Sequence, residues 1–166
     1  MDKFVGLTKP ATTLANITGQ FNAIFPSNDG STVRKRRSDF KTQEVEYVSD
    51  GKEFMITAIA EPRGRHCERR IALHLKGDIT SGTYAFKKND TSGPIIQLIY
   101  SEMDHINGQH FLMPLETIEG TLELEVSENH QYYKARHLNF TAISRNGLTL
   151  EIEADFEVWM AVVVFN

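Results

Sequence analysis

His105 and His110 flank Asn107-Gly108, a dipeptide that favours the two-residue hairpin turn in which both central residues take positive φ. Such a turn sets the two imidazoles directly opposite each other, with Cβ atoms roughly 5 Å apart. That is close enough to share a zinc ion, which would still need a third ligand and partners that orient the rings. A three-residue turn would instead set Asp104 opposite His110. Neither HExxH nor CxxC occurs, so His105 and His110 are the candidate metal ligands on spacing alone.

Basic residues gather in two places. Arg34, Lys35, Arg36 and Arg37 form a continuous run, followed by Lys41, inside the polar stretch 26–42. Arg63 and Arg65, with Arg69 and Arg70 close behind, form the second group. Clustered cations bind phosphates, acidic polysaccharide or other anionic surfaces by releasing counterions. The run has no interleaved aromatics on which bases could stack, so nucleic acid is not the expected partner. The candidate ligand-binding residues are therefore Arg34, Lys35, Arg36, Arg37, Arg63 and Arg65, and the expected ligand is an anion or another protein.

Cys67 is the lone cysteine, which excludes an internal disulfide. Its cationic neighbours, Arg65, Arg69 and Arg70, would favour a thiolate. It is also in phase with Ile71, Leu73 and Leu75, so a buried place on the core side of that strand is expected. Carboxylates form two rows, Glu119, Glu123, Glu125 and Glu151, Glu153, Asp155, Glu157. A solvated outer face that resists edge-to-edge aggregation accounts for them, with a calcium site or an acid–base pair as the sharper alternative. No cofactor motif is present, and none is expected.

The elements that must position these groups are strands. The chain has 166 residues, is 40% hydrophobic and 24% charged, and carries a net charge of −4. This length fits one domain, residues 1–166, which can bury roughly 70% of its unfolded surface without a metal or disulfide. Charge is uneven: residues 1–76 hold 13 Lys/Arg against 9 Asp/Glu, and residues 77–166 hold 5 against 13. No run reaches the roughly 18 apolar residues of a membrane helix. The opening Met1-Asp2-Lys3-Phe4 lacks an apolar leader, so a cytoplasmic location is expected.

Period-two alternation dominates. Ile118, Gly120, Leu122, Leu124 and Val126 alternate with Glu119, Thr121, Glu123 and Glu125. Leu148 to Val158 alternates in the same way with Thr149 to Glu157. One wet and one apolar face is the signature of antiparallel sheets. Further strands are expected near 15–25, 44–49, 53–60, 68–76, 83–87, 94–101 and 131–143. A two-residue loop at Asp50-Gly51 would pair Tyr47 with Phe54 and Val45 with Ile56. A two-residue loop at Asn146-Gly147 would set Phe140 against Glu153. A three-residue loop, 145–147, pairs Phe140 with Ile152, Ala142 with Leu150 and Leu138 with Ala154 instead, and is preferred.

The expected architecture is a single all-β domain of about nine or ten antiparallel strands, a two-sheet β-sandwich or, alternatively, a partly closed β-barrel. The expected function is a non-enzymatic binding module that recognises a protein or anionic ligand through loops at one end, including 26–42 and 61–66. One alternative is a barrel carrying a small apolar ligand, with Phe21, Tyr84, Phe86 and Tyr100 at its mouth. Another is a metal-dependent hydrolase built on His105 and His110. The apolar run at 158–165 must be central in a sheet or covered, which makes it a candidate homo-oligomer contact.

Overall fold

Alternation along the chain becomes ten strands in the computed structural model, which describes residues 15–26, 37–61, 67–90, 92–144 and 147–162. They are β1 (Ala15–Ile24), β2 (Phe40–Thr42), β3 (Val45–Ser49), β4 (Glu53–Ala60) and β5 (Arg69–Lys76). The rest are β6 (Gly82–Lys87), β7 (Ile95–Ile106), β8 (Gln109–Val126), β9 (Tyr132–Ile143) and β10 (Thr149–Val162). All pairings are antiparallel, in the order β2-β1-β10-β9-β8-β7-β5-β4-β3, with β6 added along β8. Of the two arrangements expected, this single path gives the closed one: a large sheet nearly closed into a barrel. No described helix is long and apolar enough to cross a membrane.

The long strand β8 makes the curvature. Its first part, Gln109–Leu115, pairs with β7, while Glu116–Val126 pairs with β9 and 119–124 also with β6. Register shifts between Thr117 and Glu119 and between Glu123 and Leu124 bend it between these partners. The barrel closes where β1 and β2 meet β3 and β4. There the Thr42 hydroxyl donates to the Ile59 carbonyl at 2.6 Å, and the Ile59 N–H donates to the Glu44 carbonyl at 2.9 Å. Gly19 of β1 leaves room for β3 to cross it: a Cβ there would lie 2.9 Å from Val45 Cγ2.

Inward residues fill the interior. Phe21 and Phe156 are opposed across β1 and β10 and stack at 5.3 Å. Phe54 of β4 meets Tyr133 of β9, a strand it does not pair with, at 5.0 Å, and Phe25, just past the end of β1, meets Tyr100 of β7 at 5.3 Å. Ile56, Leu73, Leu122, Leu138 and Val158 occupy the space between and are almost completely buried.

Several local expectations are met residue by residue, and others are corrected. The pairs Phe140–Ile152, Ala142–Leu150 and Leu138–Ala154 occur as the three-residue loop requires, with Gly147 at φ 75°. The hairpin at 50–51 is displaced by one residue. Ser49 opposes Phe54 and Tyr47 opposes Ile56, so Gly51-Lys52 is the turn, with Gly51 at φ 86°. Asp50 fixes this turn, its carboxylate accepting the N–H groups of Lys52 and Glu53 at 2.8 Å each. The stretch 26–42 is not irregular throughout, because Phe40–Thr42 pairs with β1. Cys67 is exposed rather than buried, since β5 begins only at Arg69 and the alternation does not reach back to it. The buried residue there is Glu68, which pairs with Arg70.

Candidate anion-binding end of the barrel

The end of β1, the start of β2, the end of β4, the start of β5 and Glu102 of β7 lie at one end of the barrel, because antiparallel pairing brings Ala23 to Phe40, Ala60 to Arg69 and Arg69 to Glu102. Both basic stretches of the sequence enter the structure here. Arg34, Lys35, Arg36, Arg63 and Arg65 lie outside the described residues, and Arg37 and Arg69 are the described members nearest to them.

Arg37 and Arg69 converge. Arg37 donates from Nε to Glu102 Oε2 at 2.7 Å and from Nη2 to Oε1 at 2.6 Å, a two-pronged pairing. Tyr100, two residues earlier on the same side of β7, donates its hydroxyl to Glu102 Oε2 at 2.9 Å. Arg69 stands opposite Glu102, donates to the Ser38 carbonyl at 2.6 Å, and lays its guanidinium over Phe40 and Phe25, 4.8 and 5.3 Å from the ring centres. The Phe25 N–H is taken by Asp39 Oδ1 at 2.9 Å, which ties the two flanks of the first basic stretch together.

Electrostatics follow from partial burial. Removal from water works against ionising Glu102, but the hydrogen bonds and charge of Arg37 outweigh it and hold the carboxyl below its ordinary value. The same hydrogen bonds hold the Arg37 guanidinium above its ordinary value against the opposing effect of burial. Burial first, and then the charge of Glu102, pushes the Tyr100 hydroxyl well above the usual phenol range. Arg37 is thus a charge already committed to an internal partner.

The β7–β8 hairpin rises from this same end. Pairing of β5 with β7 stops at Arg69–Glu102, and pairing of β9 with β8 begins at Glu116. Among the described residues, 103–112 form ladder pairs only with each other, as a two-stranded arm. At its tip His105 stands opposite His110, so the two-residue turn is the one adopted. Among the described residues, no group of three or more His, Cys, Asp or Glu side chains is gathered to hold a metal ion.

The remaining candidates lie elsewhere. The carboxylate rows do flank β9 on the outer face, where Glu123 opposes His137 and Glu153 opposes Asn139. An open cleft of about 420 Å³ runs across them above Gly120, between Glu119 and Glu151 on one side and Thr121, Asn139 and Glu153 on the other. A second, of about 380 Å³, lies between Gln20, Lys134 and Glu157 and Asn22, Arg136 and Asp155. Phe21 and Tyr100, expected at a ligand-carrying mouth, are fully buried in the core, whereas Tyr84 and Phe86 are half-buried on β6. Glu102 is the residue that the spacing of charges did not single out. The strand expected over 94–101 stops one residue short of it, although its place two after Tyr100 was the available signal.

Comparison with protein-family models, with curated proteins and with solved structures finds no match for this chain.

Proposed function

We propose that this protein is a non-enzymatic binding module that captures an anionic ligand through the basic loops at one end of its barrel. The observation that carries this reading is the meeting of Arg37 and Arg69 at Glu102, which roots both basic stretches at the same barrel end. Because Arg37 and Arg69 are engaged with Glu102, Ser38 and two aromatic rings, the charges assigned to the ligand are Arg34, Lys35, Arg36, Arg63 and Arg65. The packed interior around Phe21, Phe156, Phe54 and Tyr133 favours a surface site over an internal one.

The test is salt elution from immobilised heparin and from immobilised poly-glutamate near neutral pH. The whole chain carries −4, so retention on a polyanion reports a local basic surface and not the overall charge. Replacing Arg34, Lys35 and Arg36 by Gln, and separately Arg63 and Arg65 by Gln, is expected to lower the eluting salt concentration. The combined variant should lower it further. Equal elution of wild type and the combined variant would count against this function. Arg37 is left in place throughout, because its loss would disturb the fold as well as the charge.

A further inference from the structure

The arm at residues 103–112 ends in a pair of imidazoles whose geometry is set by backbone rules. Asn107 and Gly108 take φ values of 52° and 76°, the two positive angles that a type I′ turn needs. Ile106 and Gln109 close the turn, so His105 and His110 form the next pair out, the kind without ladder hydrogen bonds between its members. In agreement, the His105 N–H is donated to Asp104 Oδ1 at 2.8 Å. At such positions side chains come closest across a hairpin. The two rings lie edge to face, with centroids 3.9 Å apart and planes inclined by 74°.

We propose that His105 and His110 together chelate a divalent transition-metal ion of the zinc, nickel and copper group at the tip of this arm. Imidazole nitrogen suits these ions, and bond lengths of roughly 2.0–2.1 Å can be met by a small opening of the two rings about their side-chain torsions. The hairpin holds both ligands in register before the ion arrives, so little ordering is needed on binding. Among the described residues no third protein ligand is gathered here, so water supplies the third ligand and the remaining coordination positions. This is a reversible, open site and not a structural one. His105 is exposed, so the ion can approach from its side of the pair. The proposal does not depend on the basic loops binding an anion.

The experiment is a titration of the full chain with zinc chloride and then nickel chloride, near neutral pH, followed by backbone and imidazole NMR signals. One ion per chain is expected, with the largest changes at His105, His110 and the turn between them. His105→Ala and His110→Ala should each weaken binding by about tenfold or more, equivalent to roughly 1.4 kcal/mol. His137→Ala, at the other exposed imidazole among the described residues, should leave it unchanged. Both arm substitutions lie at a projecting tip, and a wild-type circular dichroism spectrum would confirm that the barrel is intact. Zinc binding that survives the double substitution would overturn the assignment, as would unmoved His105 and His110 signals at about 1 mM metal.

Discussion

Arg37 grips Glu102 with two nitrogens, at 2.7 and 2.6 Å, across 65 residues of sequence. Each side chain keeps between a quarter and a third of its surface in water, so the pair is neither a solvated surface bridge nor a fully buried one. Because the same carboxylate also receives the Tyr100 hydroxyl, its removal leaves a buried donor without that partner. Glu102→Ala is therefore expected to destabilise the barrel by about 1.5–3 kcal/mol, the range for hydrogen bonds to charged groups. Arg37→Lys should recover only part of the loss of Arg37→Ala, since an ammonium cannot reproduce the fork. Urea unfolding midpoints of these three variants check the order.

The same pair gives the acid response a sign. Burial raises the Glu102 value, but Arg37 more than reverses this, so the folded carboxyl titrates below its unfolded counterpart near 4.3. The unfolded chain then binds more protons, and stability rises with pH through that window. The contribution of Glu102 is complete above the unfolded value and is lost as pH falls through the folded one. Asp50 and Asp90 are lowered by their own turn hydrogen bonds and act in the same direction, so wild type alone does not isolate Glu102. The stability difference between wild type and Glu102→Gln should shrink steadily as pH falls below about 4. A difference that stays constant down to strong acid would contradict this account.

Closure of the barrel can be tested at Gly19. A methyl group there would come within 2.9 Å of Val45 Cγ2, so Gly19→Ala is expected to cost about 1–3 kcal/mol. The obstacle is a side chain, and Val45→Ala removes it. The double variant should be more stable than the sum of the two single changes predicts, with a coupling of 0.5 kcal/mol or more, on the order expected for residues in contact. Strict additivity in chemical denaturation would mean that β1 and β3 do not cross here in solution.

How much of this was legible in the sequence depended on how local the controlling interaction is. The alternation of Leu122 and Leu124 with Glu123 and Glu125 fixes a two-faced strand without reference to the rest of the chain. The loop before Gly147 could be chosen because only one length matched Phe140 with Ile152. At Asp50-Gly51 both candidate turns keep the apolar residues on one face, since moving the turn by one residue shifts the register by two. Alternation alone could not separate them, and the carboxylate of Asp50 decided the matter. Sheet closure rests on Gly19 against Val45 and on Thr42 against Ile59, and the Arg37–Glu102 pair on a still longer separation. None of these leaves a periodic trace. The two histidines were legible because a turn of two residues joins them.

Gly120 provides a stricter test than Gly19, because its neighbours cannot be trimmed. It stands opposite Phe140 in the β8–β9 pairing, and an added Cβ would lie 2.8 Å from Phe140 Cβ and 2.9 Å from the Asn139 carbonyl oxygen. Every residue except glycine carries a Cβ at position 140, and no substitution removes the carbonyl at 139. Relief therefore requires movement of the backbone in the middle of the sheet. Gly120→Ala is expected to cost roughly 3 kcal/mol, the upper end of overpacking penalties. Phe140→Ala should not rescue it. Gly108→Ala is a useful contrast: its Cβ meets nothing within 4 Å, and only the positive φ of 76° opposes it. That change should cost about 1–2 kcal/mol, with Gly108→Asn costing less because Asn tolerates the left-handed region. Thermal and urea denaturation of the four variants give the ranking, and a Gly120→Ala protein as stable as wild type would place β8 and β9 further apart than described.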